Sequence, residues 1–135
     1  HGHSLALLLV DADHFKAVND VHGHAVGDRV LAELGRVIGR CARRTDCAAR
    51  IGGEEFALLL IDADRDGAMQ VAERLRRSVE AELQAPAVTV SVGVAAHAPG
   101  AGTLQALRER ADLALYAAKD AGRNRVVDAA ALAPA

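Results

Sequence analysis

The feature that most constrains this chain is a pair of short apolar runs, residues 48–51 and 56–61, separated by Gly52-Gly53-Glu54-Glu55. Two extended segments joined by so few residues must turn back on one another, so the chain contains an antiparallel hairpin and therefore a sheet. The paired glycines are read as supplying the positive φ of a tight turn. The remaining elements arrange themselves around that hairpin. Residues 4–10 are apolar and read as a buried strand that stops at Asp11. Residues 19–27, with Gly, His and Asp, read as a loop. A helix follows, with Val26, Val30, Leu31, Leu34, Val37, Ile38 and Cys41 on one stripe and Arg29, Glu33, Arg36 and Arg40 opposite. A second amphipathic helix is expected over 66–83, with Met69, Ala72, Leu75 and Val79 inward and Pro86 closing the region. Residues 88–95 alternate as Val-Thr-Val-Ser-Val-Gly-Val-Ala, a strand pattern. Thr103 is a candidate N-cap for a third helix over 104–120, Gly122 its stop, and 125–127 a last short strand. Alternating helices and strands with one internal hairpin predict a single α/β fold, an α+β sandwich in which helices cover a mixed central sheet.

A length of 135 residues suits one domain with a real core. Hydrophobic residues make up 51% and aromatics only 2%, so that core must be built from Ala, Val, Leu and Ile. The net charge of -2 provides no basic field for nucleic acid. The longest apolar run, residues 5–10, is too short to cross a bilayer, and no signal-peptide pattern is present. The expectation is a cytoplasmic segment without membrane contact, whatever anchor a parent protein carries. Cys41 and Cys47 form no CxxC pair and read as partly buried thiols of a reducing compartment. His1-Gly2-His3 reads as a tag remnant or the edge of a longer chain, and the Ala-rich 129–135 as a tail. The expected domain is therefore 1–128, a piece of a larger protein.

Carboxylates gather at two places. Asp11 and Asp13 follow the first strand, and Glu54 and Glu55 sit at the hairpin turn. Acids at a strand end beside acids at an adjacent turn can hold a hard divalent cation, and Mg²⁺ takes one or two carboxylates plus phosphate oxygens. Lys16, Lys119, Arg123 and Arg125 add cations of the kind a triphosphate requires. His14, His22 and His24 lack the partners and spacing of a zinc site.

These residues are recognisable. Asp11-Ala12-Asp13-His14-Phe15-Lys16, Asn19-Asp20, Gly23-His24, Gly27-Asp28, Arg50-Ile51-Gly52-Gly53-Glu54-Glu55-Phe56, 90–95, 111–119 and Gly122-Arg123-Asn124-Arg125 resemble, in order, the motifs of the GGDEF domain, the diguanylate cyclase family. The resemblance implies a nucleotidyl-cyclase-like fold whose hairpin carries the GGEEF turn. It implies condensation of two GTP into cyclic di-GMP. Asp11, Glu54 and the carbonyl of Ala12 would hold two Mg²⁺ per GTP, with Mn²⁺ as a substitute. Glu54 or Glu55 would help deprotonate the attacking 3′-hydroxyl. The backbone near His14 and Phe15, with Lys16, Lys119 and Arg123, would hold the phosphates. Asn19 and Asp28 would read guanine, since a carboxylate accepts the N1 and N2 hydrogens that adenine lacks. That disfavours a cyclase using ATP.

Arg43-Arg44-Thr45-Asp46 resembles the family's inhibitory RxxD, with Arg74 at the position of a second arginine, completing the grip from a neighbouring domain if the ligand crosslinks two domains. Arg44 and Arg77 read as solvated charges. Partners implied are GTP, cyclic di-GMP, a second copy in a transient or regulated homodimer, and an upstream sensory or dimerising part. Ile51 and His14 stand where aromatics are common in the family, and the family's D-x-LTGL-x-NR segment is missing before the first strand. The rival reading is an idle module that senses cyclic di-GMP or GTP; the intact GGEE turn argues against it.

Overall fold

The computed structural model describes residues 4–97, 100 and 102–132. His1-Gly2-His3 and residues 133–135, on which parts of the tag and tail readings fall, lie outside them. The element order is β1 (Leu5–Ala12), α1 (Phe15–His22), α2 (His24–Cys41), β2 (Cys47–Arg50), β3 (Glu55–Ile61), α3 (Arg65–Glu82), β4 (Val90–His97), α4 (Leu104–Asp120) and β5 (Arg125–Asp128). The five strands form one sheet in the order β2-β3-β1-β4-β5. β1 is central and antiparallel to both β3 and β4, while β5 runs parallel to β4. The sheet is thus mixed, as the pattern predicts.

The pleat divides the core in two. Even-numbered residues of β1, Ala6, Leu8 and Val10, join Leu34, Ile38, Leu75 and Val79 under α1, α2 and α3. Odd-numbered Leu7 and Leu9 join Leu107, Ala111 and Leu115 under α4. Each leucine fully buried this way stabilises the fold by about 1.5–3 kcal/mol. The buried aromatics are Phe15 and Phe56, so aliphatic packing carries the core. Alternation in β4 therefore sorts side chains between two buried faces rather than between core and water. Val90, Val92 and Val94 face α2 and α3, and small Ser91, Gly93 and Ala95 let α4 approach.

Five local expectations are corrected. Residues 19–27 are not a loop but the end of α1 and the start of α2, parted by Gly23 at φ 89°. Phe15 and Val18 bury one face of α1, so the polar residues mark the outer face of an amphipathic helix. β1 does not stop at Asp11, because Asp11 and Ala12 still pair with Ser91 and Val90 of β4. β4 starts at Val90 rather than residue 88. α3 begins at Arg65, capped by Asp64, whose side chain accepts from Gly67 N at 2.8 Å, and its buried stripe runs through Ala68 with Met69 only half-buried. At the hairpin, neither Gly52 nor Gly53 adopts positive φ. The turn closes instead through Ile51 N and Gly52 N to Glu55 O, at 2.9 and 3.2 Å.

Candidate active site

The strand register builds the site. Asp11 stands directly opposite Glu55 on one side of β1 and opposite Ser91 on the other. Ala12 N donates to Glu54 O at 3.2 Å, which ties the hairpin turn to the end of the central strand. Asp11, on the α4 face, is buried and ion-paired with Lys119 near the end of that helix. One cleft of about 180 Å³ is lined by Asp11, Ala12, Asp13, His14, Phe15, Lys16, Glu54, Lys119 and Arg123. Nine residues from four parts of the chain thus converge; of the acids and cations singled out in the sequence, Glu55 and Arg125 do not line the cleft.

The carboxylates crowd one another. Burial, then the Asp11 charge, raises the Glu54 carboxyl above the usual carboxylate range, with Lys119 acting in the opposite direction. Glu55 is raised by burial, Asp11 and Asp112, against Lys119 and Arg108. Glu54 lines the cleft, whereas Glu55 lies toward Asp112 and Arg108 of α4 and does not. Among the described residues no three His, Cys, Asp or Glu side chains form a metal cage. Two acids, a carbonyl and open space fit an ion that takes its other ligands from phosphate and water.

His14 adopts the left-handed conformation at φ 54°, just before α1. That turn brings the backbone at the start of α1 to the cleft, and a helix N-terminus favours an anion. Lys16 lines the cleft, yet its ammonium pairs with exposed Asp20 at 2.9 Å. Asn19 and Asp28 lie outside the cleft wall. Asn19 Oδ1 is buried without a partner and packs where a Cβ at Gly27 would stand, next to exposed Asp28.

A profile described as "Diguanylate cyclase, GGDEF domain" matches residues 1–125. The chain belongs to the GGDEF domain family. This GGDEF domain is 44% identical to diguanylate cyclase A of Treponema denticola over 128 residues, which cover 91% of the chain and 34% of that protein. It is 48% identical to diguanylate cyclase DgcM of Escherichia coli over 126 residues, 92% of the chain and 30% of that protein. The chain thus spans about a third of the length of these curated relatives. Its backbone superposes on the GGDEF domain of DgcB from Caulobacter crescentus, solved in complex with c-di-GMP, at a TM-score of 0.89 with 39% identity, over 96% of this chain and 80% of that one. The active GGEEF domain of a Vibrio cholerae diguanylate cyclase matches at 0.86 with 31% identity, over 93% and 82%.

At the other end of β3, Arg43, Asp46 and Arg74 line a pocket of about 540 Å³ with Asp62, Asp64 and Val71. Arg74 reaches it from the same chain, so no neighbouring domain is needed to bring the three together. Asp46 is 1% exposed along its side chain. Burial raises its carboxyl, but hydrogen bonds from Arg43 N at 2.8 Å, the Arg43 side chain and Ile61 N at 3.2 Å outweigh burial and hold it below the usual range. The Arg43 guanidinium also donates to Ile61 O at 2.6 Å, so its fork is prearranged.

Sequence reasoning missed two devices of this GGDEF domain. Arg50 grips the turn, donating to Gly52 O at 3.1 Å and Gly53 O at 2.8 Å. Its place just before the glycines was the available signal. Asp13, grouped with the metal acids from its spacing, is 6% exposed and fully engaged by the fold. The polar positions Thr89 and Ser91 in the alternating run were its signal.

Proposed function

We propose that this chain is one half-site of a diguanylate cyclase. Each domain binds one GTP, two domains meet face to face, the 3′-hydroxyl of one nucleotide attacks the α-phosphate of the other, and pyrophosphate leaves. The observation that carries the reading is the convergence of Asp11, Glu54, Lys119 and Arg123 on one cleft beside the N-terminus of α1. The relatives named as diguanylate cyclases support it.

Asp11, Glu54 and the Ala12 carbonyl would hold Mg²⁺, two ions per GTP, or Mn²⁺ in their place. When bound, the metal supplies charge neutralisation on the phosphates and a more acidic hydroxyl. Lys119, Arg123, Lys16 and the backbone at His14 and Phe15 would orient the triphosphate. Glu54 or Glu55 would help to take the proton of the attacking hydroxyl. Asn19 and Asp28 would meet the guanine N–H groups, giving preference over ATP. Arg43, Asp46 and Arg74 form the pocket for the product and hence for feedback inhibition. The domain at 1–128 would work within a longer protein whose upstream part brings two copies together.

The test is incubation with GTP and Mg²⁺ and detection of cyclic di-GMP by mass. The rate should rise faster than linearly with protein concentration, since two half-sites must meet. GTP binding with no product at any protein concentration would leave the idle sensing module as the reading.

A further inference from the structure

Asp13 is a buried acid that the mechanism above does not use. Its Oδ1 accepts from Ser91 Oγ at 2.6 Å. Its Oδ2 accepts from Thr89 Oγ1 at 2.7 Å and from Asn124 N at 3.0 Å. Its own N–H donates to Thr89 O at 2.9 Å. Both oxygens are thus committed to β4, to Thr89 just before it and to the turn between α4 and β5.

That turn is a demanding one. Arg123 and Asn124 are consecutive non-glycine residues at φ 65° and 46°, a conformation that L side chains resist. It persists because its neighbours hold it. Arg123 N donates to Ala118 O at 3.0 Å. Asn124 Oδ1 accepts from Arg76 Nη1 at 2.9 Å, and its amide donates to Glu80 Oε2 at 2.6 Å. The Arg125 side chain donates to Arg123 O at 3.0 Å, and Asp13 holds the Asn124 backbone. Asp13 lies two residues beyond Asp11 on the same strand end, while the turn it grips presents Arg123 to the cleft.

We propose that Asp13 is a positioning residue that fixes Arg123 relative to Asp11, and so sets the spacing between the phosphate-holding side of the cleft and its acidic side. It ligates no metal. This rests on the reading of the cleft as a GTP site, and it separates Asp13 from the acids with which its spacing groups it. Replacing Asp13 by Asn keeps the shape but removes the charge and turns one acceptor into a donor, so a hydroxyl must reverse its role and the Asn124 N–H loses a charged acceptor.

The experiment compares Asp13→Asn, Arg123→Ala and the double variant. Asp13→Asn should raise KM for GTP about tenfold, the scale of losing one hydrogen bond to a charged group, with kcat changed far less. The Mg²⁺ concentration for half-maximal rate at saturating GTP should stay at the wild-type value. In the Arg123→Ala background the Asp13→Asn change should add almost nothing. Additive losses, or a shifted Mg²⁺ requirement, overturn the proposal. Thr89→Val, which removes a single hydroxyl and keeps the shape, should raise KM in the same direction by a smaller factor, and an unchanged KM counts against the proposal. Amide exchange at Asn124 gives a readout independent of catalysis: it should quicken in Asp13→Asn, and unaltered exchange overturns the latch even if the wild type proves not to be a cyclase. A wild type that binds no GTP while Asn124 exchange still responds would sink the GTP reading alone.

Discussion

At the scale of single residues the site is a balance of charges, and Glu54 shows its cost. A carboxyl raised by burial and by Asp11 binds its proton more tightly in the folded protein than in the unfolded chain. Stability therefore falls as pH rises from the ordinary carboxylate range, about 4.3, through the raised folded value, and the penalty persists at neutral pH. Glu54→Gln removes that charge. It should abolish cyclic di-GMP formation while raising the Tm of the nucleotide-free protein at pH 7 by roughly 1–3 °C, on the usual scale of stability and melting temperature. At pH 4 the gain should shrink, because the wild-type carboxyl then carries less charge in both states. Calorimetry at the two pH values checks the sign, and a variant less stable than wild type at pH 7 would contradict the account. The acids and cations of the cleft were legible because a metal-and-phosphate reading calls for those residue types: Asp11, Glu54, two lysines and Arg123. Asp13 was not, since a sequence shows that an acid follows a strand but not which way its oxygens turn.

Secondary-structure elements place these residues, and β4 against α4 is the most exacting contact. A Cβ at Gly93 would overlap Ala111 O and Leu115 N and stand 2.8 Å from Leu115 Cα, all helix backbone that cannot step aside. Gly93→Ala should push α4 off the sheet and cost about 2–4 kcal/mol in urea unfolding, at the severe end for overpacking. Because α4 carries Lys119 to Asp11, the surviving folded fraction should also lose turnover. A fully stable, active Gly93→Ala would show that the helix is not seated as described. Most of α2 and α3 could be read from periodicity, since apolar spacing is what packs them, the strands from apolar runs and alternation, and α4 from its cap at Thr103 and its stop at Gly122. α1 could not. Only Phe15 and Val18 of its eight residues are buried, too few to set a period against its polar majority. Nor could the hairpin's φ values be read, because Arg50 and the Glu55 carbonyl close the turn without help from glycine's freedom.

Across the whole molecule, one strand joins two pockets. β3 begins at Glu55 beside the cleft and ends at Ile61, whose N–H and carbonyl meet Asp46 and Arg43. Its seven residues span roughly 20 Å at the usual rise per residue. A product held at Arg43, Asp46 and Arg74 would therefore sit far from the chemistry and act by locking domains together or by stiffening that strand. Arg43→Ala should relieve inhibition by added cyclic di-GMP at least tenfold while leaving the initial rate near wild type, since charge-assisted contacts to phosphate are strong. Progress curves with and without product decide it; equal inhibition of both proteins would reduce the pocket to a surface feature. Among the described residues no helix is long and apolar enough to cross a membrane.

The ion pair between Asp11 and Lys119 means that this cleft carries its own counterion. A divalent ion bound at Asp11 would compete with the ammonium for the carboxylate, so its binding would be in part an exchange. At the proposed GTP site, nucleotide would change the terms, because the lysine would then have phosphate oxygens to neutralise. Metal and GTP should accordingly bind as a team, each weakly alone. Lys119→Met makes the contrast measurable: calorimetry should find tighter Mn²⁺ binding to the nucleotide-free variant than to wild type, and weaker binding of GTP. One lysine would then be a rival to the cation before substrate arrives and its ally afterwards.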